Sequence, residues 1–207
     1  GDALIRRIVL ATRNEGKVRE LRHMLSDLPV DVLSLKDFTE VPEVEEDGRT
    51  FLDNARKKAR EVSRRISETV LADDSGLEVD VLGGEPGIRS ARYAGPGATD
   101  ADNNAKLLKA LEGVPAAKRG AVFRCALVLF RPDGRSASFE GTWRGEILFE
   151  PRGTMGFGYD PLFFDPGQGL TAAELPPEVK NRISHRGQAF AKFRAWLEKT
   201  ECKKVRG

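Results

Sequence analysis

The chain carries the segment Leu71-Ala72-Asp73-Asp74-Ser75-Gly76-Leu77, in which two adjacent carboxylates follow a short apolar run. Residues 70–72 predict a buried strand, and Gly76 permits a turn directly after the acidic pair. Two neighbouring anionic groups repel each other, so a bound cation would explain their pairing. Mg²⁺ suits this pair, because proteins hold it through one or two carboxylates together with substrate phosphates. The alternative is a solvated turn in which an aspartate caps the following element.

Strands and helices alternate in the first half of the sequence. Four apolar runs predict strands, at residues 5–11, 30–35, 70–73 and 77–82. Further along, residues 121–130 and 136–143 flank Pro132-Asp133-Gly134, a pattern that predicts a long antiparallel hairpin. Helices are predicted after residue 17, from residue 50 to about residue 66, after Thr99 and after Ser184. We therefore predict an α/β fold with a mixed, twisted central sheet flanked by helices, in one domain over residues 1–207.

Composition narrows the function classes. The 207 residues carry a formal net charge of only +2, so no overall positive charge favours binding to nucleic acid. No apolar run reaches the length of a membrane span, since the run at 126–130 ends at Arg131-Pro132. Cys125 and Cys202 are the only cysteines, one in a predicted strand and one in a charged tail, so we expect no bridge between them. These features predict a cytoplasmic protein.

The first strand is followed by a candidate phosphate-binding loop. It consists of Thr12, Arg13, Asn14, Glu15, Gly16 and Lys17, at the point where the strand gives way to a helix. Backbone N–H groups at a helix N-terminus attract phosphate, and a lysine adds a positive charge. The loop lacks the spacing of a P-loop, and the alternative is an ordinary turn.

Residues 36–48 form an acidic loop in which Glu45 and Glu46 are the candidates of interest. One of these glutamates could fold beside Asp74 and complete a metal site. On spacing alone, a solvated charged loop is the favoured interpretation.

Two later segments could recognise a ligand. The glycine-rich loop at residues 153–160 contains Phe157 and Tyr159, which could stack on a flat base or pack into the core instead. Just before the last helix, Lys180, His185 and Arg186 offer hydrogen-bond donors to phosphate oxygens or to a keto group.

Six segments match one pattern, in order along nearly the whole chain. On them the chain resembles the inosine/xanthosine triphosphate pyrophosphatase family, which acts on deaminated purine nucleotides. The segments are Ala11-Thr12-Arg13-Asn14-Glu15-Gly16-Lys17, Thr50-Phe51-Leu52-Asp53-Asn54-Ala55, residues 71–77, residues 84–95, Phe157-Gly158-Tyr159-Asp160 and Ser184-His185-Arg186-Gly187.

The resemblance implies an elongated, two-lobed α/β domain with a central cleft, a homodimer, and Mg²⁺-dependent hydrolysis. The implied substrates are the triphosphates of inosine, deoxyinosine and xanthosine (ITP, dITP and XTP). The implied products are the nucleoside monophosphate and pyrophosphate.

The resemblance also implies roles for individual residues. Asp74 would be the general base and a metal ligand, with Asp73 beside it and Glu45 preferred over Glu46 as the next acidic ligand. Thr12, Asn14 and Lys17 would hold the triphosphate, and Lys180 would lie near the phosphates or the base. The nucleoside pocket would be shaped by Ser75, Phe157, Gly158, Tyr159, Asp160, His185 and Arg186. Arg13 and Met155 depart from the family pattern, which often has a small residue at the first position and glycine at the second.

These roles suggest attack of water on the α-phosphorus, with Asp74 taking the proton. Arg186 and His185 would donate hydrogen bonds to the 6-keto oxygen of inosine or xanthosine. Adenine carries an amino group at this position, which is itself a donor and could not accept those hydrogen bonds.

Two other functions remain open. One is a related pyrophosphatase of the septum-inhibitor type, acting on pyrimidine or modified nucleotides. The other is a nucleotide- or RNA-binding module without catalysis.

Overall fold

The computed structural model describes the backbone of residues 4–202 and the side chains of residues 4–199. Cys125 is buried. The side chain of Cys202 lies outside the described residues, so the expectation about a bridge between the two cysteines stays a prediction.

The first half of the chain alternates strands and helices, as predicted. Asn14 caps the first helix and Thr50 caps the second, each by accepting a hydrogen bond from a backbone N–H in the first turn. The elements in order are β1 (Arg7–Leu10), α1 (Glu15–Met24), β2 (Asp31–Ser34), α2 (Phe51–Ile66) and β3 (Val70–Val79).

The second half contains the predicted hairpin and two C-terminal helices. Thr99 and Asp102 form a capping box at the start of a further helix, and Ser184 Oγ accepts the Gly187 N–H at 3.0 Å. The elements are α3 (Asp100–Ala110), β4 (Gly120–Phe130), β5 (Ser136–Ile147), β6 (Phe163–Asp165), β7 (Leu170–Thr171), α4 (Pro177–Ile183) and α5 (His185–Trp196).

The described strands form one seven-stranded sheet with the order β2-β1-β3-β4-β5-β6-β7. β1 pairs in parallel with β2 and with β3, while β6 pairs antiparallel with β5 and with β7. β4 and β5 are sheet neighbours joined through a turn in which the Gly134 N–H donates to the Arg131 carbonyl. The prediction of a mixed sheet in an α/β fold is therefore confirmed.

One part of the secondary-structure prediction is wrong. The sequence predicted two strands separated by a turn at Gly76, but β3 runs without interruption from Val70 to Val79. Leu77 and Val79 are fully buried, and the gain from burying them outweighs the turn preference of the polar residues before them. The rest of the predicted second strand is a short 3₁₀ turn, Asp80–Leu82. Asp73 and Asp74 thus lie within a central strand and not at its exit.

The chain divides into two compact units. The first comprises the described parts of 1–74, 126–140 and 189–207, and the second comprises 75–125 and 141–188. The second unit has a core that includes Leu77, Phe123, Trp143 and Phe163. The expected single domain with a central cleft stays a prediction. No helix in residues 4–202 is both long and apolar enough to cross a membrane.

Candidate active site

Asp74 is a carboxylate placed where an ionised group is unfavourable. Asp74 is only 9% exposed, and its Oδ2 is buried without a hydrogen-bond partner among the residues that the structure describes. Burial, and after it the nearby Glu46 carboxylate, raise the pKa of Asp74 from 3.8 to about 7, against the lowering effects of Lys58 and Asn54. A buried acid with a pKa near neutrality is typical of a functional site.

Two lysines lie around this carboxylate pair. Lys58 Nζ is 3.3 Å from Glu46 Oε1 and 3.0 Å from the backbone oxygen of Asp73, to which it donates. Lys17 Nζ lies 3.9 Å from Asp73 Oδ2. We call Asp73, Asp74, Glu46, Lys17 and Lys58 the acidic site. In this site carboxylate oxygens, which could bind a metal cation, lie beside lysine ammonium groups, which could bind phosphate oxygens.

The resemblance implied Glu45, in preference to Glu46, as the next acidic ligand, and the structure places these two glutamates in different environments. Glu46 is half-buried and close enough to act on the pKa of Asp74, whereas Glu45 is exposed and its backbone oxygen accepts a hydrogen bond from Lys57. This placement favours Glu46 over Glu45 as the partner of Asp74.

The acidic site carries the kind of oxygen ligands that Mg²⁺ binds. Within the described part of the chain, no three His, Cys, Asp or Glu side chains are arranged to hold a metal ion by themselves. Mg²⁺ does not need such a cage, because it uses one or two carboxylates and fills its other positions with water and substrate phosphates. The carboxylates of Asp74 and Glu46 supply hard anionic oxygens of the required kind. The residues therefore fit the ion.

Sequence reasoning missed two residues of α2 that shape this site. Asn54 is 1% exposed, and its Oδ1 accepts the Gly48 N–H at 2.7 Å, which anchors the end of the acidic loop. Lys58 follows four residues later, on the same face of the helix. Polar residues at this spacing among the buried Ala55 and Ala59 were the signal that could have found them.

The candidate phosphate loop is organised around the start of α1. The Asn14 N–H donates to Thr12 Oγ1 at 3.1 Å, and Asn14 Oδ1 accepts the Lys17 N–H at 3.2 Å. The side chains of Arg13 and Glu15 contact other segments: Arg13 donates to the Val41 carbonyl, and Glu15 Oε1 lies 3.4 Å from Lys36 Nζ. Gly16 and Lys17 complete the first turn, where a helix dipole favours anions.

The two aromatic residues of the loop at 153–160, which we call the aromatic loop, have different environments. Phe157 is 60% exposed, so its ring is available to a ligand. Tyr159 is 5% exposed, and its hydroxyl donates to the Ser90 carbonyl at 2.6 Å. Burial accordingly raises the pKa of Tyr159. The ring of Tyr159 holds the loop to the core and does not present a face for stacking.

Asp160 and Lys180 form a second charged contact, next to Phe157. Lys180 Nζ is 2.6 Å from Asp160 Oδ2, which also accepts the Phe157 N–H at 2.9 Å. The same ammonium lies 5.1 Å from the centre of the Phe157 ring. Gly156 has a φ of +76°, and a Cβ there would approach Asp160 Oδ2 to 2.2 Å, so only glycine fits beside the pair. Gly158 follows Phe157 with a φ of +60°.

His185 stacks on a core aromatic ring. Its imidazole lies 4.6 Å from the ring centre of Phe123, and its Nδ1 is buried with no hydrogen-bond partner in the described structure. Burial, reinforced by the charges of Arg186 and Lys180, lowers the pKa of His185 from 6.5 to about 3. The ring is therefore neutral at physiological pH. Arg186 is half-buried beside it, and Ser75 is half-buried in β3 next to Asp74.

The pKa of His185 predicts an acid sensitivity of the fold. The unfolded chain binds a proton at this histidine below about pH 6.5, but the folded chain does not until about pH 3. The contribution of His185 to the free energy of unfolding is therefore fully present above about pH 6.5. It is lost as the pH is lowered, by about 3 kcal/mol at pH 4.5. We expect His185→Phe to lose less unfolding free energy than wild type between about pH 7.5 and 4.5, measured by urea denaturation.

His23 provides the matched control, because it is exposed on α1. The His23→Gln variant removes this exposed imidazole, and it shows how far the loss of a histidine by itself changes the denaturation curves. Equal losses for His185→Phe and wild type would show that His185 is not held neutral by the fold.

The fold and the site define a class: an α/β protein with a mixed sheet, a carboxylate–lysine cluster around Asp74 and an aromatic loop beside Lys180. The chain belongs to the Ham1 family, whose model matches residues 8–196. This confirms the resemblance inferred from the six segments.

Relatives match along almost the whole chain. It is 56% identical over 185 residues to a protein of Geobacter sulfurreducens named dITP/XTP pyrophosphatase, covering 89% of this chain and 93% of that protein. It is 53% identical over 188 residues to a protein of the same name from Methylococcus capsulatus, covering 90% of this chain and 93% of the relative. The solved structure of a HAM1 protein from Coxiella burnetii superimposes with a TM-score of 0.89 at 43% identity, covering 94% of this chain and 99% of that one.

Proposed function

We propose that this chain hydrolyses dITP, ITP and XTP to the nucleoside monophosphate and pyrophosphate, removing them from the nucleotide pool. The observation that carries the proposal is the identity of more than half of the aligned residues, over about nine-tenths of the chain, to proteins named dITP/XTP pyrophosphatase. The acidic site and the aromatic loop both lie within residues 8–196, which the family model matches.

The acidic site supports a role for Mg²⁺. Asp74 and Glu46 would hold the ion, with Asp73 next to them in β3. When bound there, the ion would neutralise charge on the triphosphate and polarise its phosphoryl oxygens. A cation at Asp74 also favours the ionised carboxylate, the form that its burial otherwise opposes.

Asp74 is suited to be the general base. A water held at its buried Oδ2 would attack the α-phosphorus and transfer its proton to that oxygen. Without a bound cation the pKa of Asp74 is raised to about 7, and a cation at the site would lower it, so the carboxylate would be ionised and able to accept the proton. The bond from the α-phosphorus to the bridging oxygen then breaks, and pyrophosphate leaves.

The start of α1 would bind the phosphates that leave. Lys17 and the N–H groups of the first helical turn would stabilise the growing charge of pyrophosphate, while Thr12 and Asn14 keep the loop in place. Lys58 would act indirectly, by holding Glu46 and the Asp73 backbone.

Recognition of the base would use Phe157 and the residues at the start of α5. The exposed Phe157 ring offers a stacking surface. Arg186 carries donors that suit a 6-keto oxygen, and the neutral His185 can offer one N–H. Adenine has an amino group at this position, so its binding would leave these donors without acceptors.

The role of Arg186 predicts a change in selectivity. Arg186→Ala should lower the ratio of kcat/KM for ITP to that for ATP by about tenfold or more, because the keto oxygen loses its donor while ATP loses nothing. Steady-state kinetics with both nucleotides measure the ratio. A ratio equal to that of wild type would dismiss recognition through Arg186.

A nucleotide panel tests the proposed function. Pyrophosphate release would be measured for dITP, ITP, XTP, dGTP, dTTP and UTP, each with Mg²⁺ and with excess chelator. We expect Mg²⁺-dependent release from the first three. Preferred turnover of dTTP or UTP would favour the septum-inhibitor type of pyrophosphatase, and binding without release would favour a non-catalytic module.

The proposal includes a homodimer in the cytoplasm, on the strength of the family resemblance. Analytical ultracentrifugation tests the first part, and a molar mass near twice 22.8 kDa is expected. A sedimenting species of single-chain mass would contradict it.

A further inference from the structure

Two side chains in the first half of α3 hold the backbone of the aromatic loop. Asp100 Oδ2 accepts a hydrogen bond from the Gly158 N–H at 2.9 Å, and Asn104 Nδ2 donates to the Gly158 carbonyl at 2.9 Å. The two residues are four positions apart, so they lie on one face of the helix. They contact both polar groups of a single residue, and we call the pair the α3 clamp.

The clamp is itself held in one arrangement. Asn104 Nδ2 also donates to the Asp100 carbonyl at 2.9 Å, so two carbonyl acceptors determine which end of the amide is nitrogen. Asn104 Oδ1 is buried and has no partner within the described residues. The amide therefore has little freedom to turn away from Gly158.

The residue before Gly158 is Phe157, and the clamp limits its movement. The Phe157 N–H is bound to Asp160 Oδ2, and the following glycine is bound on both sides by α3. Yet the Phe157 ring is 60% exposed. A rigid backbone under an exposed ring lowers the entropy cost for a ligand that covers the ring, because the loop does not have to be ordered on binding.

We propose that Asp100 and Asn104 are positioning residues that set the Phe157 ring for stacking on the substrate base. The inference rests on the proposed function, since it concerns the same nucleotide. Their role is indirect, because their hydrogen bonds to the aromatic loop are made with the backbone of Gly158.

The test compares Asp100→Ala and Asn104→Ala with wild type in steady-state hydrolysis of dITP. Stacking on the base is present in the bound substrate and in the transition state alike, so its loss raises KM and leaves kcat nearly unchanged. We expect KM to rise about tenfold and kcat to change less than about threefold. Asp100 is exposed, so the first variant should fold even if the second does not.

Two variants separate positioning from helix stability. Asp102 lies in the same turn and caps α3 through Thr99, so Asp102→Ala weakens the helix without touching the loop and should keep the wild-type KM. Asp100→Asn retains an oxygen that can accept the Gly158 N–H, and it should restore KM to near the wild-type value.

A double-mutant cycle with Phe157→Ala shows whether the clamp acts through the ring. In that background Asp100→Ala should raise KM by less than about twofold, because the ring that it positions is gone. If Asp100→Ala raised KM as much in the Phe157→Ala background as in wild type, the inference would be overturned. Wild-type KM values in both clamp variants of an active enzyme would also overturn it. A wild-type protein that releases no pyrophosphate from dITP would instead overturn the proposed function, and this inference with it.

Discussion

Replacing Asp74 by asparagine is expected to reduce dITP hydrolysis by about a thousandfold or more, because the side chain loses the oxygen that accepts the proton. The buried Oδ2 has no hydrogen-bond partner in residues 4–199, and the Glu46 carboxylate is near enough to raise the pKa of Asp74. Asparagine has nearly the same shape but has neither the charge nor the basicity of the carboxylate. The measurement is kcat for pyrophosphate release at saturating dITP.

The same substitution should leave the fold intact. Since the folded-state pKa of Asp74 is about 7, against an ordinary value of 3.8, the metal-free protein loses stability as the pH rises through this window. The amide introduced by Asp74→Asn cannot ionise, so the unfolding free energy of the variant at about pH 8 should equal or exceed that of wild type. Asp31, exposed in β2, supplies a control: Asp31→Asn should keep full activity. Normal turnover by the Asp74 variant would remove Asp74 from its role.

Replacing Gly187 by alanine is expected to cost about 3 kcal/mol of unfolding free energy, because there is no space for a methyl group. A Cβ at this position would lie 1.7 Å from the Asn181 carbonyl oxygen and 2.6 Å from its carbon. Both neighbours are backbone atoms, so the end of α4 and the start of α5 would have to separate. The melting temperature should fall by about 10 °C.

The clash also predicts a functional effect. Lys180 lies on α4, and His185 and Arg186 begin α5, so separation of the two helices displaces all three. We expect kcat/KM for dITP to fall as well, even at temperatures where the variant is folded. Gly167→Ala is the comparison, since a Cβ there meets only a side-chain oxygen at 3.2 Å. A melting temperature for Gly187→Ala within about 2 °C of the Gly167 variant, a difference of no more than about 1 kcal/mol, would contradict the packing argument.

The sequence predicted the elements well where local signals agree. The caps Thr50 and Thr99 precede apolar periodicity, and the turn at residues 132–134 separates two strand patterns. It failed at Gly76, because the acidic pair and the glycine are locally typical of a turn. The burial of Leu77 and Val79 in the sheet is a tertiary effect that no local pattern reveals.

The site was harder to predict, for the same reason. Choosing Glu46 over Glu45 requires knowing which glutamate lies against Lys58 and acts on the pKa of Asp74, and the loop conformation determines both. His185 looked like an available donor, but Phe123, 62 residues earlier in the numbering, covers one face of its ring. The contacts of Asp100 and Asn104 with Gly158 likewise join segments more than 50 residues apart.

The origin of the oxygen added to the products tests the central claim most directly. Hydrolysis of dITP in water enriched in ¹⁸O, followed by mass spectrometry of both products, reports which phosphorus the water attacks. The account predicts one ¹⁸O atom in deoxyinosine monophosphate and none in pyrophosphate. Finding ¹⁸O in pyrophosphate, or finding deoxyinosine diphosphate and inorganic phosphate as the products, would contradict attack at the α-phosphorus.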